Sequence, residues 1–251
     1  MKKNSLLAWV LGGSLLCAWP LTGLATGPDY AREAKWADEV VPGLVVGDPV
    51  YLQTPRGHHK FLTLFTPAAG GKQAVIVVHG MGIHPDWGMV GTLRTELSDR
   101  GYTTLSIQMP ILAAEAKSED YPPTFPEAAE RLGEAVAFLK AKGYGELAVV
   151  SHSMGSRMSL EYFKGTPDPV VKSWASLGPS FKGYESVKLP ILDLYGDNDL
   201  PAVLGNAGTR KGSLANPASK QVVVAKTDHF FTGHEGAMVG AVADFLKDSL
   251  K

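Results

Sequence analysis

From residue 74 onward, the hydrophobic and polar positions of this chain alternate between two spacings. Short continuous apolar runs, typical of strands covered on both faces, separate segments whose apolar residues recur every three to four positions, as on one face of a helix. The predicted strands are 74–79, 103–108, 147–151, 171–177, 191–195 and 221–225. The predicted helices are 88–100, 127–142, 154–164 and 237–250. This alternation favours an α/β fold, a doubly wound and mostly parallel sheet with helices on both faces.

The chain before residue 74 has a different pattern. Two further strands, 49–53 and 60–66, are separated by a Pro-Arg-Gly turn, which predicts an antiparallel hairpin at the edge of the sheet. Residues 26–48 form a poorly patterned lead-in that contains one short charged helix at 30–40. No internal repeat or linker follows, so residues 49–251 are predicted to form one domain.

Residues 1–25 have the layout of a secretory signal. Two lysines precede an apolar stretch at 6–19, and small residues favour cleavage after Ala25. The stretch is short for an ordinary membrane-spanning helix, although an uncleaved anchor is the alternative. Cys17, the only cysteine, lies inside it, and Leu16 before it disfavours lipidation. We therefore expect an exported protein, periplasmic or secreted.

Charge and composition exclude several classes of function. The 24 basic and 25 acidic residues give a net charge of -1, and no basic block points to nucleic acid or to anionic lipid. Cleavage after Ala25 would remove two lysines and no acids, leaving 22 basic against 25 acidic residues, or -3. The mature chain would then lack cysteine, so it could use neither disulfides nor a thiol nucleophile. No stable membrane insertion is expected after cleavage.

One strand-to-helix junction has the pattern of a nucleophile elbow. The apolar run 147–151 leads into Ser-His-Ser-Met-Gly and then into a helix-forming segment. Such a sharp turn exposes a serine hydroxyl at the edge of a sheet, and it needs small residues two positions before and two after the nucleophile. Ser151 and Gly155 meet this need, although serine replaces the usual first glycine. Ser153 is the predicted nucleophile; a serine-rich turn without chemistry is the alternative.

Two backbone amides are candidates for an oxyanion hole. The sequence His-Gly-Met-Gly at 79–82 follows the first central strand, and its glycines allow a turn that presents the Met81 N–H to a developing oxyanion. The second donor would be the Met154 N–H, at the start of the helix after Ser153, where the helix dipole favours negative charge. The alternative for His-Gly is a plain turn that ends a strand.

A serine nucleophile needs a base, and the base needs a carboxylate to orient it. The predicted base is His229, just after the last strand, with His234 as the alternative. The predicted acid is Asp199, in the turn after the strand at 191–195, with Asp197 as the alternative. Asp193 lies in mid-strand and is predicted to be structural.

The other histidines fit the role of base less well. His58 and His59 lie in an early turn. His79 precedes the oxyanion glycine, and His152 adjoins the nucleophile on the wrong side of the elbow. No histidine pair has helical spacing with a nearby carboxylate, so no metal site is predicted. No cofactor is predicted either.

Ser153, Asp199 and His229 follow the chain order of the α/β hydrolases, and residues 49–251 resemble that superfamily. The resemblance rests on Val-His-Gly at 78–80, Ser-His-Ser-Met-Gly at 151–155, Tyr-Gly-Asp-Asn-Asp at 195–199 and Asp-His-Phe-Phe at 228–231. A narrower resemblance, to exported and functionally undefined α/β hydrolase-like proteins of Gram-negative bacteria, rests on 78–87, 93–97 and 105–110. These resemblances imply the α/β-hydrolase fold and export, and no substrate.

Two loops are expected to line the pocket beyond the carboxyl ends of the strands. Trp87 is a candidate wall of an acyl pocket and His84 a candidate polar contact; the alternative is a turn in which Asp86 caps the next helix. The connection 109–125 is long enough to be a lid. The connection from Leu177 to the next strand is short, so no large cap domain is predicted.

The predicted function is hydrolysis of a small or medium acyl ester through a Ser-Asp-His triad and an acyl-enzyme intermediate. The expected partner is a small-molecule acyl substrate. A non-catalytic binding or envelope-assembly protein with the same fold is the alternative, because a fold does not determine a function. Within the enzymes, the sequence leaves peptidase, thioesterase and acyltransferase activity open.

Overall fold

Strands and helices alternate along the chain as the hydrophobic pattern predicts. The computed structural model describes residues 27–250. The strands are β1 Asp48–Gln53, β2 Lys60–Thr66, β3 Gln73–Val78, β4 Thr103–Ile107, β5 Glu146–His152, β6 Val171–Leu177, β7 Ile191–Gly196 and β8 Lys220–Val224. The helices are α1 Tyr30–Val40, α2 Gly88–Asp99, α3 Phe125–Ala141, α4 Met154–Lys164, α5 Pro201–Gly212 and α6 Glu235–Ser249.

All eight strands form one sheet in the order β1-β2-β4-β3-β5-β6-β7-β8. β1 pairs with β2 and β2 with β4 in antiparallel fashion, and every other pair is parallel. The predicted hairpin at the edge of the sheet is thereby confirmed. Because the parallel strands end at one edge of the sheet, the turns that carry the candidate site residues converge there.

Two apolar layers cover the sheet. On one face, α3 and α4 bury residues such as Leu132 and Met158 against the side chains that the central strands direct to that face. On the other face, α2 and α6 bury residues such as Leu93 and Val242. Burial on both faces explains why β3 and β5 are continuous apolar runs rather than alternating ones. The predicted doubly wound, mostly parallel architecture is confirmed.

The hydrophobic pattern predicts no helix between β7 and β8, and on this point the prediction is wrong. The segment contains α5, whose interior carries glycines at 205 and 208 and whose buried residues are Val203 and Arg210. Glycine is a poor helix former, and two buried positions give little amphipathic signal. A buried ion pair between Arg210 and Asp193 of β7, with an N–O distance of 3.0 Å, attaches the helix to the sheet. Asp193 is therefore a structural carboxylate.

Two connections near the candidate site, β6–β7 and β4–α3, differ in length and burial. The β6–β7 connection, 178–190, contains neither helix nor strand, and no large cap domain is present there. The β4–α3 connection begins with buried residues, including Ile111 and Leu112, and only its part 113–120 is mostly exposed.

No helix in residues 27–250 is both long and apolar enough to cross a bilayer. The predicted signal, residues 1–25, lies outside the described residues.

Candidate active site

The junction between β5 and α4 has the geometry of a nucleophile elbow. Ser153 adopts φ +55° and ψ −119°, a strained conformation for a residue with a side chain. Helix α4 passes so close to the end of β3 that there is no room for a side chain at Gly155, where a Cβ atom would overlap the carbonyl oxygen of His79. The Ser153 N–H donates to the Leu177 carbonyl at 2.8 Å, which ties the turn to β6.

Ser151 does more at the elbow than supply a small side chain. Its hydroxyl lies 3.0 Å from the Ser156 hydroxyl and accepts the indole N–H of Trp174 at 2.8 Å. The Ser156 hydroxyl also lies within hydrogen-bond distance, 3.0 Å, of the Ser151 carbonyl. These contacts join β5, β6 and the first turn of α4 in a buried polar cluster. Sequence reasoning missed this role, since the sequence does not show that Trp174 faces the elbow.

Ser153, His229 and Asp199 form a continuous hydrogen-bonded series. His229 Nε2 lies 2.8 Å from Ser153 Oγ, and its Nδ1 lies 2.6 Å from Asp199 Oδ1. Asp199 Oδ1 also accepts the Leu200 N–H at 2.7 Å, which fixes the carboxylate. With Nδ1 protonated toward the carboxylate, Nε2 is free to accept the serine proton. The arrangement can therefore activate the Ser153 hydroxyl as a nucleophile by removing its proton.

The two alternatives for the acid and the base lie elsewhere. Asp197 is exposed, and its carboxylate accepts the Thr227 N–H at 3.2 Å. His234 precedes α6, and its Nδ1 lies 3.2 Å from the Thr232 carbonyl oxygen. The structure thus brings Asp199, and not Asp197, to His229.

Gly178, just after β6, is a site residue that sequence reasoning missed. It has φ +55°, and a Cβ atom there would lie 2.8 Å from Cε1 and 2.9 Å from Nδ1 of His229. Only a glycine lets the imidazole approach this close to the strand end. Because the approach joins residues far apart in the chain, no local pattern in the sequence indicates it.

The segment after β3, which carries the Met81 amide, is held by the buried His79. Burial lowers the pKa of His79 to about 3, so its imidazole is neutral. His79 Nδ1 donates to the Gly80 carbonyl at 2.8 Å, and its Nε2 accepts the Met109 N–H at 2.9 Å. In a trans peptide the carbonyl and the next N–H point in opposite directions, so the Met81 N–H points away from His79.

The same segment packs tightly against the nucleophile. A Cβ atom on Gly80 would lie 3.3 Å from Ser153 Cβ, so the Gly80–Met81 peptide lies next to the serine. The Met154 N–H belongs to the first residue of α4 and has no intrahelical acceptor. The Gly80–Met81 peptide and the first residue of α4 are thus neighbours of Ser153, where the sequence predicts the two oxyanion donors. We refer to residues 80–83 as the oxyanion loop.

His152 lies beside the base, which corrects its predicted place on the wrong side of the elbow. Its ring centroid is 4.6 Å from that of His229, and its Nε2 donates to the His229 carbonyl at 2.9 Å. Burial, followed by the nearby charge of His229, lowers the pKa of His152 to about 3. A neutral His152 therefore holds the backbone of His229 without adding a competing positive charge.

Two aromatic side chains form a wall beside the base. Trp87 packs edge-on against Phe230 with centroids 5.3 Å apart, and Phe230 lies 5.3 Å from the His229 ring. Phe230 is 42% exposed, so an apolar surface faces solvent next to the triad. The alternative interpretation of this turn, in which Asp86 caps the next helix, is wrong: Asp86 pairs with the buried Arg94 at 2.7 Å, and this pair anchors the turn that carries Trp87.

His84, the other predicted substrate contact, faces the N-terminal helix. Its ring lies 5.5 Å from that of Trp36, and its Nδ1 accepts the Asp86 N–H at 3.3 Å. Burial lowers the pKa of His84. Helix α1, part of the predicted lead-in, thus reaches the rim of the site, which its poorly patterned sequence does not reveal.

Comparison with protein families gives one match. Residues 52–129, from β1 into the start of α3, match a family described as proteins of unknown function, DUF3530. No curated protein matches the chain.

Solved structures give a clear match to the fold. A dienelactone hydrolase from Anabaena variabilis superimposes with a TM-score of 0.66 at 20% identity, over 81% of this chain and 99% of that one. An esterase from Pyrococcus furiosus gives 0.64 at 14% identity, over 81% and 93%. A Xanthomonas campestris protein described as an α/β serine hydrolase without lid gives 0.62 at 17%, over 82% and 95%. The chain has the α/β-hydrolase fold.

Proposed function

We propose that this protein is a serine hydrolase that cleaves a small or medium acyl ester through an acyl-enzyme intermediate. One observation carries the proposal: Ser153 at the strained elbow lies 2.8 Å from His229, which in turn lies 2.6 Å from the buried Asp199. Hydrolases and esterases among the structures of the same fold support the reaction class. The predicted signal adds the proposal that the reaction takes place in the periplasm or outside the cell.

In the proposed reaction, His229 takes the proton of Ser153 Oγ while the oxygen attacks the substrate carbonyl. Asp199 holds the imidazole in the required tautomer and stabilises the imidazolium. The amides of Met81 and Met154 stabilise the oxyanion of the tetrahedral intermediate. His229 then protonates the leaving alcohol, and a water molecule activated by the same histidine releases the acid from Ser153.

The side chains around the triad favour a substrate with an apolar acyl group. Trp87 and Phe230, on the turns before α2 and α6, offer an aromatic surface beside His229, and no large cap domain follows β6 within residues 27–250. We therefore assign Trp87 to the wall of the acyl-binding side. His84 remains a proposed polar contact at the rim.

The test is hydrolysis of nitrophenyl esters from acetyl to octanoyl, with a thioester and an anilide for comparison. Ser153→Ala should lower kcat by about 10⁶-fold, since a triad works as a unit. Asp199→Asn should lower it by about 10⁴-fold because the wrong histidine tautomer is then favoured. Asp197→Asn is the matched control and should leave kcat unchanged.

The result also separates the enzyme from a non-catalytic binding protein. Wild-type protein that turns over none of these substrates, or a Ser153→Ala variant that retains turnover, would contradict the proposal. Equal losses in the two aspartate variants would contradict the assignment of the acid.

A further inference from the structure

Helix α1 makes several contacts to the two loops beside the oxyanion hole. The Asp29 N–H, just before the helix, donates to the Ile111 carbonyl at 2.7 Å. One turn later, Arg32 donates from Nη1 to the Leu112 carbonyl at 2.7 Å and from Nη2 to the Gly82 carbonyl at 3.4 Å. The guanidinium thus joins the β4–α3 connection to the oxyanion loop.

The Arg32 guanidinium packs on an aromatic ring and, within the part of the chain that the structure describes, forms no ion pair. Its guanidinium carbon lies 4.6 Å from the ring centre of Trp36, which in turn contacts His84, the residue after the oxyanion loop. Among residues 27–250, no carboxylate lies within ion-pair distance of Arg32. The charge-assisted donors of this side chain are therefore directed at backbone oxygens.

A second route leads from α1 to the same loop. The buried Glu33 pairs with Arg131 at 2.9 Å, and Arg131 Nη1 donates to the Gln108 carbonyl at 2.9 Å. Gln108 Nε2 donates to His79 Nε2 at 3.0 Å, and His79 holds the Gly80 carbonyl. The peptide that bears the Met81 N–H is thus fixed from one side by His79, and the loop beyond it by Arg32.

We propose that Arg32 is a positioning residue for the oxyanion loop, so that helix α1 is a functional part of the active site. The proposal rests on the proposed serine hydrolase function. Preorganised donors contribute to catalysis only when they are held at the place where charge develops. Loss of the Arg32 contacts should let Gly82 move, and the Met81 N–H with it, while the triad stays intact.

The experiment compares three variants of the full-length protein with p-nitrophenyl acetate as substrate. Arg32→Met keeps the apolar stem and removes the donors, and it should lower kcat about 10- to 100-fold with KM changed less than about threefold. Arg32→Lys keeps a donor and should recover part of that loss. Lys35→Met, on the exposed face of the same helix, is the matched control and should retain wild-type kcat.

Two further measurements separate loop positioning from general damage. The low-field proton resonance of the His229–Asp199 hydrogen bond should be unchanged in Arg32→Met, because the triad is not disturbed. Amide hydrogen exchange at residues 80–83 should become faster in Arg32→Met and not in Lys35→Met. A kcat for Arg32→Met within about twofold of wild type, equal losses in Lys35→Met, or loss of the low-field resonance would overturn the proposal.

The exchange measurement also keeps this inference distinct from the proposed function. If the wild-type protein hydrolyses no ester, the proposed function fails, and exchange at 80–83 still decides whether Arg32 holds the loop. Unchanged exchange in Arg32→Met would then overturn the positioning role as well.

Discussion

At the scale of single residues, Gly178 shows how a position without a functional group can set the geometry of the site. Its φ of +55° and its approach to the His229 ring leave no space for a side chain. His152 acts on the same base from another direction, through the 2.9 Å hydrogen bond to the His229 carbonyl. His229, the proposed base, is thus held by these neighbours as well as by Asp199.

A Gly178→Ala substitution should lower kcat by at least about 100-fold, because a displacement of about 1 Å in a catalytic group has an effect of that size. The left-handed conformation should add about 1–2 kcal/mol of destabilisation. Steady-state kinetics and thermal unfolding measure the two effects.

Gly240→Ala is the matched control for Gly178→Ala. Gly240 lies in α6, and a Cβ atom there meets nothing within 4 Å, so activity should be unchanged and stability equal or higher. Wild-type kcat in Gly178→Ala would contradict the account of how His229 is placed.

Some residues of the candidate site can be predicted from the local sequence, and others depend on contacts with segments distant in the chain. Ser153 is recognisable because the elbow needs small residues at fixed local spacing. Asp199 and His229 are recognisable because each follows a strand, the buried β7 and the partly exposed edge strand β8. Gly178 and His152 act only through contact with a segment distant in sequence, so no local pattern reveals them. The sequence also leaves Asp197 open as the acid, since both aspartates lie in one turn.

At the scale of the elements, the elbow depends on the hydrogen bonds that Ser151 makes between β5, β6 and α4. Ser151→Ala would leave the buried indole N–H of Trp174 without its acceptor, which costs about 1–3 kcal/mol. We therefore expect the free energy of unfolding to fall by that amount. Guanidinium unfolding followed by tryptophan fluorescence measures it.

Ser159→Ala, in the same helix α4, provides the control for Ser151→Ala. The buried Ser159 hydroxyl has no hydrogen-bond partner among the described residues, so its removal should leave stability equal or slightly higher. If the two serine variants had the same stability, the Ser151 cluster would not contribute to the elbow.

The elements themselves are predicted from the sequence wherever burial imposes a pattern. The central strands β3 and β5 contain continuous apolar runs, and the amphipathic helices α3 and α6 show clear apolar stripes, so their positions agree closely with the prediction. Helix α5 is not predicted because it contains glycines and because a buried ion pair, rather than an apolar stripe, attaches it to the sheet. Helix α1 is predicted correctly, but its contacts with the oxyanion loop are not, since they depend on tertiary packing.

At the scale of the whole molecule, two buried neutral histidines couple folding to pH. The pKa values of His79 and His152 are about 3 in the folded protein, against an ordinary value near 6.5. Between these values the unfolded chain binds more protons than the folded protein, so stability is fully present above pH 6.5 and is lost as the pH falls. Each histidine should contribute about 2 kcal/mol to the loss between pH 7 and pH 5.

Denaturant unfolding at pH 7 and pH 5 tests this coupling. In His152→Gln, the difference in stability between the two pH values should be smaller than in wild type by about 2 kcal/mol. His58→Gln, at an exposed turn, should show the wild-type difference. An unchanged difference in His152→Gln would show that His152 is not held neutral in the folded state.

The central claim is that Ser153 is an activated nucleophile, and covalent labelling by a fluorophosphonate measures that property directly. The account predicts one adduct per folded molecule by intact mass, mapped to Ser153 by peptide sequencing, and no adduct in Ser153→Ala. The absence of labelling in folded wild-type protein, or an adduct on any other residue, would contradict it.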